Sequence, residues 1–376
     1  MTENTKAQLL QATHLTIRGR VKEATAILQR LLAPGHSPPT TGTSTVSAEP
    51  APPPGAMDGF LDTRSQSRIP MGNIAGLPPV PPPVVVPDGA KFLAGTFTNA
   101  FGTRPYKLYV PSGYQAGRTL PLIVMLHGCT QSPDDFAVGT RMNDAAEEQT
   151  CLVVYPAQIA SANMQRCWNW FSEDDQRRGR GEPSLIAGIT HQVMSDYAVD
   201  PRRVYVAGLS AGGATAAILG GAYPDLFAAI GVHSGLPCGA ARDVKSAFTA
   251  MRRGGTIEVA QTRSNRIVPA IVFHGDRDAT VNPVNADAVV AQSAQAAPLF
   301  KRVDQGRAPG GHAYSRTLSV DSAERTVIEQ WVVHGAGHAW FGGSAAGSYT
   351  DPRGPDATRE MLRFFLEHPH PELERA

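Results

Sequence analysis

Apolar residues are arranged along this chain in two rhythms. LPLIVML (120–126), CLVVY (151–155) and VPAIVF (268–273) run on without polar breaks, the pattern of strands buried on both faces. RRVYVAG (202–208), FAAIGVHSG (227–235) and RTVIEQWVV (325–333) add further strands. Between them, apolar positions at spacings of three and four predict helices over Asp134–Gln149, Ser184–Tyr197, Val244–Met251, Asn282–Gln295 and Asp356–Leu366. Ahead of all of these, KFLAGTFTN (91–99) and RPYKLYVP (104–111) predict an antiparallel hairpin. Strands alternating with helices specify an α/β fold: a mostly parallel central sheet with helices on both faces.

The first quarter of the chain has a different texture. Leu9, Leu10, Ile17, Val21, Ile27, Leu28, Leu31 and Leu32 give residues 1–33 an amphipathic helical pattern, interrupted at Gly19 and stopped by Ala33-Pro34-Gly35. Residues 34–90 form a proline-rich linker, since 34–87 hold 14 of the chain's 31 prolines. Residues 91–376 are then the α/β domain. An apolar helix on such a tether needs a surface to cover: its own domain, a second copy or a hydrophobic particle.

Composition removes several functions. A net charge of +1 without a basic run gives no footprint for nucleic acid. No apolar stretch reaches the length of a membrane span. There is no C-x-x-C, H-E-x-x-H or phosphate-cradling glycine loop, so neither metal nor cofactor is expected. The N-terminal MTENTKAQLLQ lacks a basic start and an apolar core, so the expected location is the cytoplasm with its reduced thiols. Cys151 reads as a buried thiol on a strand.

The chemistry centres on Gly208-Leu209-Ser210-Ala211-Gly212, a G-x-S-x-G directly after a strand and directly before an alanine-rich helix. That setting makes it a nucleophile elbow, in which a tight turn lifts a serine hydroxyl above the sheet. Such a serine needs a base and an acid to orient the base, in the chain order Ser, Asp, His. HGDRDATV ends a buried strand with Asp276 and Asp278; HGAGHAW ends a later one with His334 and His338. Asp278 is preferred because Asp276, next to Gly275, suits a turn cap or a pairing with a basic side chain. His338 is preferred because it lies in a glycine-rich loop, whereas His334 sits nearer the strand and caps or packs. His312 reads as a surface residue, and His127 and His274, at strand ends, as structural. The oxyanion of an acyl transfer needs two backbone N–H donors. Ala211, after the nucleophile, supplies one, and Cys129, in the loop after LIVMLHG, the other.

With HGCTQ, CWNWF, GLSAGG, HGDRDATV and GHAWFGG in place, residues 91–367 resemble the polyhydroxybutyrate-depolymerase-type esterases, short-chain-length type 1. The resemblance implies an α/β-hydrolase fold and ester cleavage through an acyl-enzyme. It implies a Ser210, Asp278, His338 triad with Cys129 and Ala211 as oxyanion donors. In that family the cysteine of HGC can pair with the one in CWNWF, which here implies a Cys129–Cys167 bond. Two free thiols are the equal alternative, because no export signal is evident. The bond would tie the oxyanion loop to a substrate lip carrying Trp168 and Trp170, with Trp340 lining the same pocket; ordinary core packing is the alternative for all three. Secreted members would place the protein outside the cell. The sequence departs from them in showing no signal peptide and no substrate-binding domain after residue 367. The expected substrates are therefore hydroxyalkanoate oligomers, amorphous polymer or other short-chain esters. Feruloyl or acetylxylan esterase is the nearest rival, and a non-catalytic binding protein on a hydrolase scaffold the rival of another class.

Overall fold

The computed structural model describes residues 83–255, 267–294 and 298–371. The expected helical segment 1–33 and linker residues 34–82 lie outside the described residues. The described part of the linker, 83–90, reaches the first strand through a turn.

A ten-stranded sheet forms the centre of the described residues. Its strands are β1 (Lys91–Asn99), β2 (Gly102–Val110), β3 (Leu120–Leu126), β4 (Leu152–Pro156), β5 (Val199–Leu209), β6 (Ala229–His233), β7 (Ala270–Gly275), β8 (Phe300–Arg307), β9 (Ala313–Val320) and β10 (Thr326–Val333). They lie in the order β1-β2-β4-β3-β5-β6-β7-β10-β9-β8. From β4 to β10 every neighbour is parallel, and the hairpins β1–β2 and β8–β9 close the two edges antiparallel. The expected mostly parallel sheet and leading hairpin are both present.

Each parallel strand feeds two cores, because successive side chains point to opposite faces. Leu122, Val124 and Leu126 of β3 join one cluster, and Ile123 and Met125 the other. Helices α3 (Gly181–Asp196), α4 (Ala211–Ala222), α5 (Val244–Arg253) and α6 (Val284–Ser293) cover the first face. Helices α1 (Pro133–Thr140), α2 (Met142–Gln149) and α7 (Ala357–Glu367) cover the second, with Phe136, Met142, Met361, Phe364 and Phe365 facing inward. This layering is the α/β-hydrolase arrangement, with strand C-termini and their loops along one edge.

Two local differences from the sequence reading have physical causes. The single helix expected over Asp134–Gln149 is two helices, α1 and α2, which meet at Arg141 in the left-handed region (φ 57°). The β8–β9 hairpin was not foreseen, because β8 is polar and exposed nearly throughout and has no apolar rhythm.

Packing is tightest where β5 turns into α4. A Cβ on Gly212 would collide with the Leu126 and His127 carbonyl oxygens, and one on Gly208 would run into the Gly212 backbone. Gly221, on the open side of α4, has nothing within 4 Å. Gly212→Ala should therefore destabilise the domain by on the order of 3 kcal/mol. Gly221→Ala should stabilise it by up to about 1 kcal/mol by relieving the glycine in a helix. Urea denaturation midpoints of both variants check this; equal midpoints would contradict the close approach.

Candidate active site

The elbow is strained where the sequence placed the nucleophile. Ser210 adopts φ 57°, ψ −118°, a backbone region that a residue with a Cβ occupies only when its surroundings enforce it. The enforcement is visible: Ser210 N–H donates to the His233 carbonyl at 2.8 Å, and the carbonyl of Ser210 caps the first turn of α4 through Ala214 N–H. The hydroxyl is partly exposed and makes no hydrogen bond to any described residue.

Asp278 and His338 follow β7 and β10 at the same sheet edge. His338 Nδ1–H donates to Asp278 Oδ2 at 2.7 Å. The carboxyl is fully buried, and Oδ1 accepts the Thr280 and Val281 amides at 2.8 Å each. Burial alone would raise the Asp278 pKa, but hydrogen bonds from His274 and His338 outweigh it and hold the group well below the carboxylate range. The imidazole therefore meets a fixed negative charge that cannot be quenched by neutral pH.

Asp276 and His334 are also brought together, with each other. His334 Nδ1 lies 3.0 Å from Asp276 Oδ2, and Gly335 N–H caps Asp276 Oδ1 at 2.7 Å. Asp276 thus both caps the turn and pairs with a basic side chain. His334 Nε2 in turn meets Ser315 Oγ of β9 at 2.9 Å, which makes a second Ser–His–Asp chain. His312 departs from the surface role expected of it. Its side chain is 12 % exposed and bridges the Asp351 carboxylate and the His334 carbonyl, because the Asp351–Arg353 turn folds back over it.

The loop after β3 is folded to leave one amide unused. Gly128 N–H donates to Gln131 Oε1, Gln131 N–H returns to the Gly128 carbonyl, and Thr130 N–H goes to Gln165 O. Among the described residues, the N–H groups of Cys129 and Ala211 donate to no acceptor. Cys129 is disulfide-bonded to Cys167. The segment beyond Cys167 is anchored by Glu182 at the start of α3, whose carboxylate accepts Asn169 N–H (2.7 Å), Asn169 Nδ2 (2.8 Å) and the Gln158 amide, with Arg104 at 3.5 Å. Burial, and then the nearby Asp175 charge, push the Glu182 pKa up against these bonds. Nothing in a single sequence marked Glu182 or Gln131; a buried carboxylate one residue into a helix carries no motif.

The tryptophans do not form the expected lip. Trp168 and Trp340 are fully enclosed, with their N–H groups on the His127 carbonyl (3.1 Å) and Thr358 Oγ1 (3.0 Å). Trp340 also stacks on His233 and meets Phe136 edge-on. Trp170 is buried too, against Phe171. Each ring is held by the core it helps to fill, so none offers a face to a ligand. The loop after β3 meets an exposed aromatic in Tyr349, whose hydroxyl lies 3.0 Å from Thr130 Oγ1. No group of three or more His, Cys, Asp or Glu among the described residues is placed to hold a metal ion.

The family model of the esterase PHB depolymerases matches residues 104–335, more than half of the sequence. The chain belongs to that family. It is 31% identical to a poly(3-hydroxyalkanoate) depolymerase C of Paucimonas lemoignei over 271 residues, covering 68% of this chain and 64% of that protein. It is 29% identical to a poly(3-hydroxybutyrate) depolymerase of Ralstonia pickettii, covering 66% and 53%. A feruloyl esterase B of Thermothelomyces thermophilus matches at 29% over 51% of this chain and 71% of its own. The chain thus spans only about half to two thirds of the two depolymerases' length. An acetyl xylan esterase from Aspergillus awamori superposes with a TM-score of 0.57 at 20% identity, over 73% of this chain and 99% of that one. This likeness shows the α/β-hydrolase fold.

His127 couples the loop after β3 to pH. Its Nδ1–H donates to the Gly128 carbonyl, and its Nε2 accepts Gln158 N–H at 3.1 Å, so the ring must be neutral. Burial lowers its pKa from 6.5 to about 4. Above about 6.5 the ring is neutral whether folded or not. Between about 6.5 and about 4 only the unfolded chain binds the proton, so stability falls as pH falls, by ~1.4 kcal/mol per pH unit for one such group. The buried His233 adds to the loss with the same sign. His127→Asn should flatten the fall in melting temperature between pH 6.5 and 4.5 by about one proton's share; an unchanged slope would contradict this account.

Proposed function

We propose that this protein is a serine carboxylic-ester hydrolase that works through an acyl-enzyme on Ser210. The carrying observation is the 2.7 Å bond from His338 to the buried Asp278 carboxylate, at the same sheet edge as the strained Ser210 turn, with the Ala211 and Cys129 amides undonated. His338 Nε2 takes the hydroxyl proton as Ser210 Oγ attacks the ester carbonyl. The oxyanion draws on the Cys129 and Ala211 N–H groups. As the tetrahedral adduct collapses, the proton passes from His338 to the leaving alcohol. Water, deprotonated by His338, then attacks the acyl-serine, releases the acid and returns the proton to Ser210. Asp278 keeps the Nδ1–H tautomer and offsets the imidazolium charge.

The substrate class we favour is short-chain hydroxyalkanoate esters: oligomers, or polymer in its amorphous form. The family and the two depolymerase relatives support it. Feruloyl or acetylxylan esterase is the second reading, favoured by the feruloyl esterase B and acetylxylan esterase relatives. For location, the Cys129–Cys167 bond favours an oxidising compartment over the cytoplasm.

Ser210→Ala should lower kcat on p-nitrophenyl butyrate by on the order of 10⁶-fold at an unchanged melting temperature, with loss of fluorophosphonate labelling. Retained turnover or labelling would sink the assignment and revive the binding-protein reading. A panel of hydroxybutyrate oligomers, amorphous polymer, feruloyl esters and acetylated xylan separates the two esterase readings, and the first two should be cleaved fastest. Activity should also fall on acidification, because the base must be neutral while Asp278 stays ionised. A kcat/KM profile flat to pH 5 would exclude a histidine base.

A further inference from the structure

His274 closes β7 four residues ahead of Asp278 and is 1% exposed. Its Nε2 lies 2.9 Å from the Val281 carbonyl and 3.3 Å from Asp278 Oδ2. Its Nδ1 is buried without a hydrogen-bond partner among the described residues. These facts fix its tautomer. A hydrogen on Nδ1 would bury a donor with nothing to meet, and would aim the Nε2 lone pair at two oxygens. Nε2 therefore carries the hydrogen and points it between a carbonyl and the carboxylate.

This gives the Asp278 carboxylate, which has no solvent exposure, four donors: two amides on Oδ1, and two imidazoles, His338 and His274, on Oδ2. The amides fix one oxygen. Among the described residues, only His274 braces the oxygen that His338 uses.

We propose that His274 is a positioning residue of the active site, whose Nε2–H holds Asp278 Oδ2 under His338 Nδ1 and takes a share of its negative charge. The inference rests on reading Asp278 and His338 as the acid and base. Its consequence has a sign. Without this donor, more of the Oδ2 charge falls on His338, the imidazolium gains, and the acid limb of the rate profile moves to higher pH. The carboxylate also loses one of its two bonds at that oxygen, so kcat falls. The titratable groups facing this pair are His233 at the end of β6, which feels the His274, His338 and Asp278 charges, and the exposed Asp276 on the turn, with the charged Arg277 beside it.

His274→Leu removes the donor at similar volume, and His274→Gln restores an N–H at nearly the same reach. In kcat/KM profiles from about pH 5 to about pH 9, His274→Leu should lose about tenfold in kcat. Its acid limb should move up by about half a pH unit. His274→Gln should recover both. Leu at wild-type rate and limb, or Gln falling as far as Leu, would overturn the proposal. ¹⁵N-histidine NMR of the wild-type protein gives a reading that needs neither variant to fold. A persistent Nε2–H tautomer for His274 across that range supports the proposal, and an Nδ1–H or averaged tautomer overturns it. If Ser210→Ala kept its activity, the triad reading would fall, whereas the NMR result would still report the His274 bond itself.

Discussion

The site depends on one close approach, that of the first turn of α4 to the end of β3. Gly212 comes so near to the Leu126 and His127 carbonyls that a single Cβ would force them apart. This contact bends the chain sharply enough to hold Ser210 in a left-handed conformation. It also sets the Ala211 amide and the loop that starts at Gly128 side by side. A Cβ on Gly128 would stand 3.6 Å from the Ser210 Cβ and 3.5 Å from the Leu209 carbonyl. The proposed nucleophile and oxyanion donors therefore share a single packing constraint, so backbone strain stored at the turn is held by the sheet beneath it.

The loop carrying Cys129 is pinned from outside the sheet by a chain of contacts. The disulfide joins it to Cys167; Trp168 donates to the His127 carbonyl; Asn169 binds the buried Glu182. Each link covers or satisfies a group on the next, and together they leave the Cys129 N–H free. On the other side Gln131 clasps Gly128 and reaches Asp135 and Ser348. An amide that must stay unpaired needs neighbours that are fully paired, since loose groups would turn to meet it.

Much of this was legible in the sequence because its causes are local. Unbroken apolar runs mark β3, β4 and β7, and G-x-S-x-G between strand and helix marks the elbow. The loop placement of Asp278 and His338 selected the two side chains that the structure brings within hydrogen-bond distance of each other. What escaped is what depends on distant segments. Trp168, Trp170 and Trp340 stand beside the motifs in sequence, yet their rings turn inward, because the core at those positions has room for them and a partner for two of their N–H groups. The polar hairpin β8–β9 has no rhythm of its own and is held by pairing with β10. His274 read as a strand-end residue; only the fold reveals that its ring reaches the acid. The signal that would have pointed to it is physical: a buried carboxylate needs donors, and His274 ends the same strand.

The molecule also contains a comparison that isolates what makes a serine a nucleophile. Ser315, His334 and Asp276 form a hydrogen-bonded chain complete from hydroxyl to carboxylate. The Ser210 hydroxyl makes no hydrogen bond among the described residues, although the His338–Asp278 pair lies at the same sheet edge. Judged by the relay alone, Ser315 would be the better candidate. It lies within β9, however, flanked by β8 and β10, so the strand's amides are engaged in ladders on both sides. Its histidine and aspartate are also exposed enough for water to screen them, whereas the Asp278 carboxyl has no exposure. A relay raises the nucleophilicity of a serine, but the charge that builds on the carbonyl oxygen must also be met by donors already in place. At the Ser210 turn the Ala211 amide, and on the loop after β3 the Cys129 amide, donate to no acceptor among the described residues. That is the physical reason to assign the chemistry to Ser210.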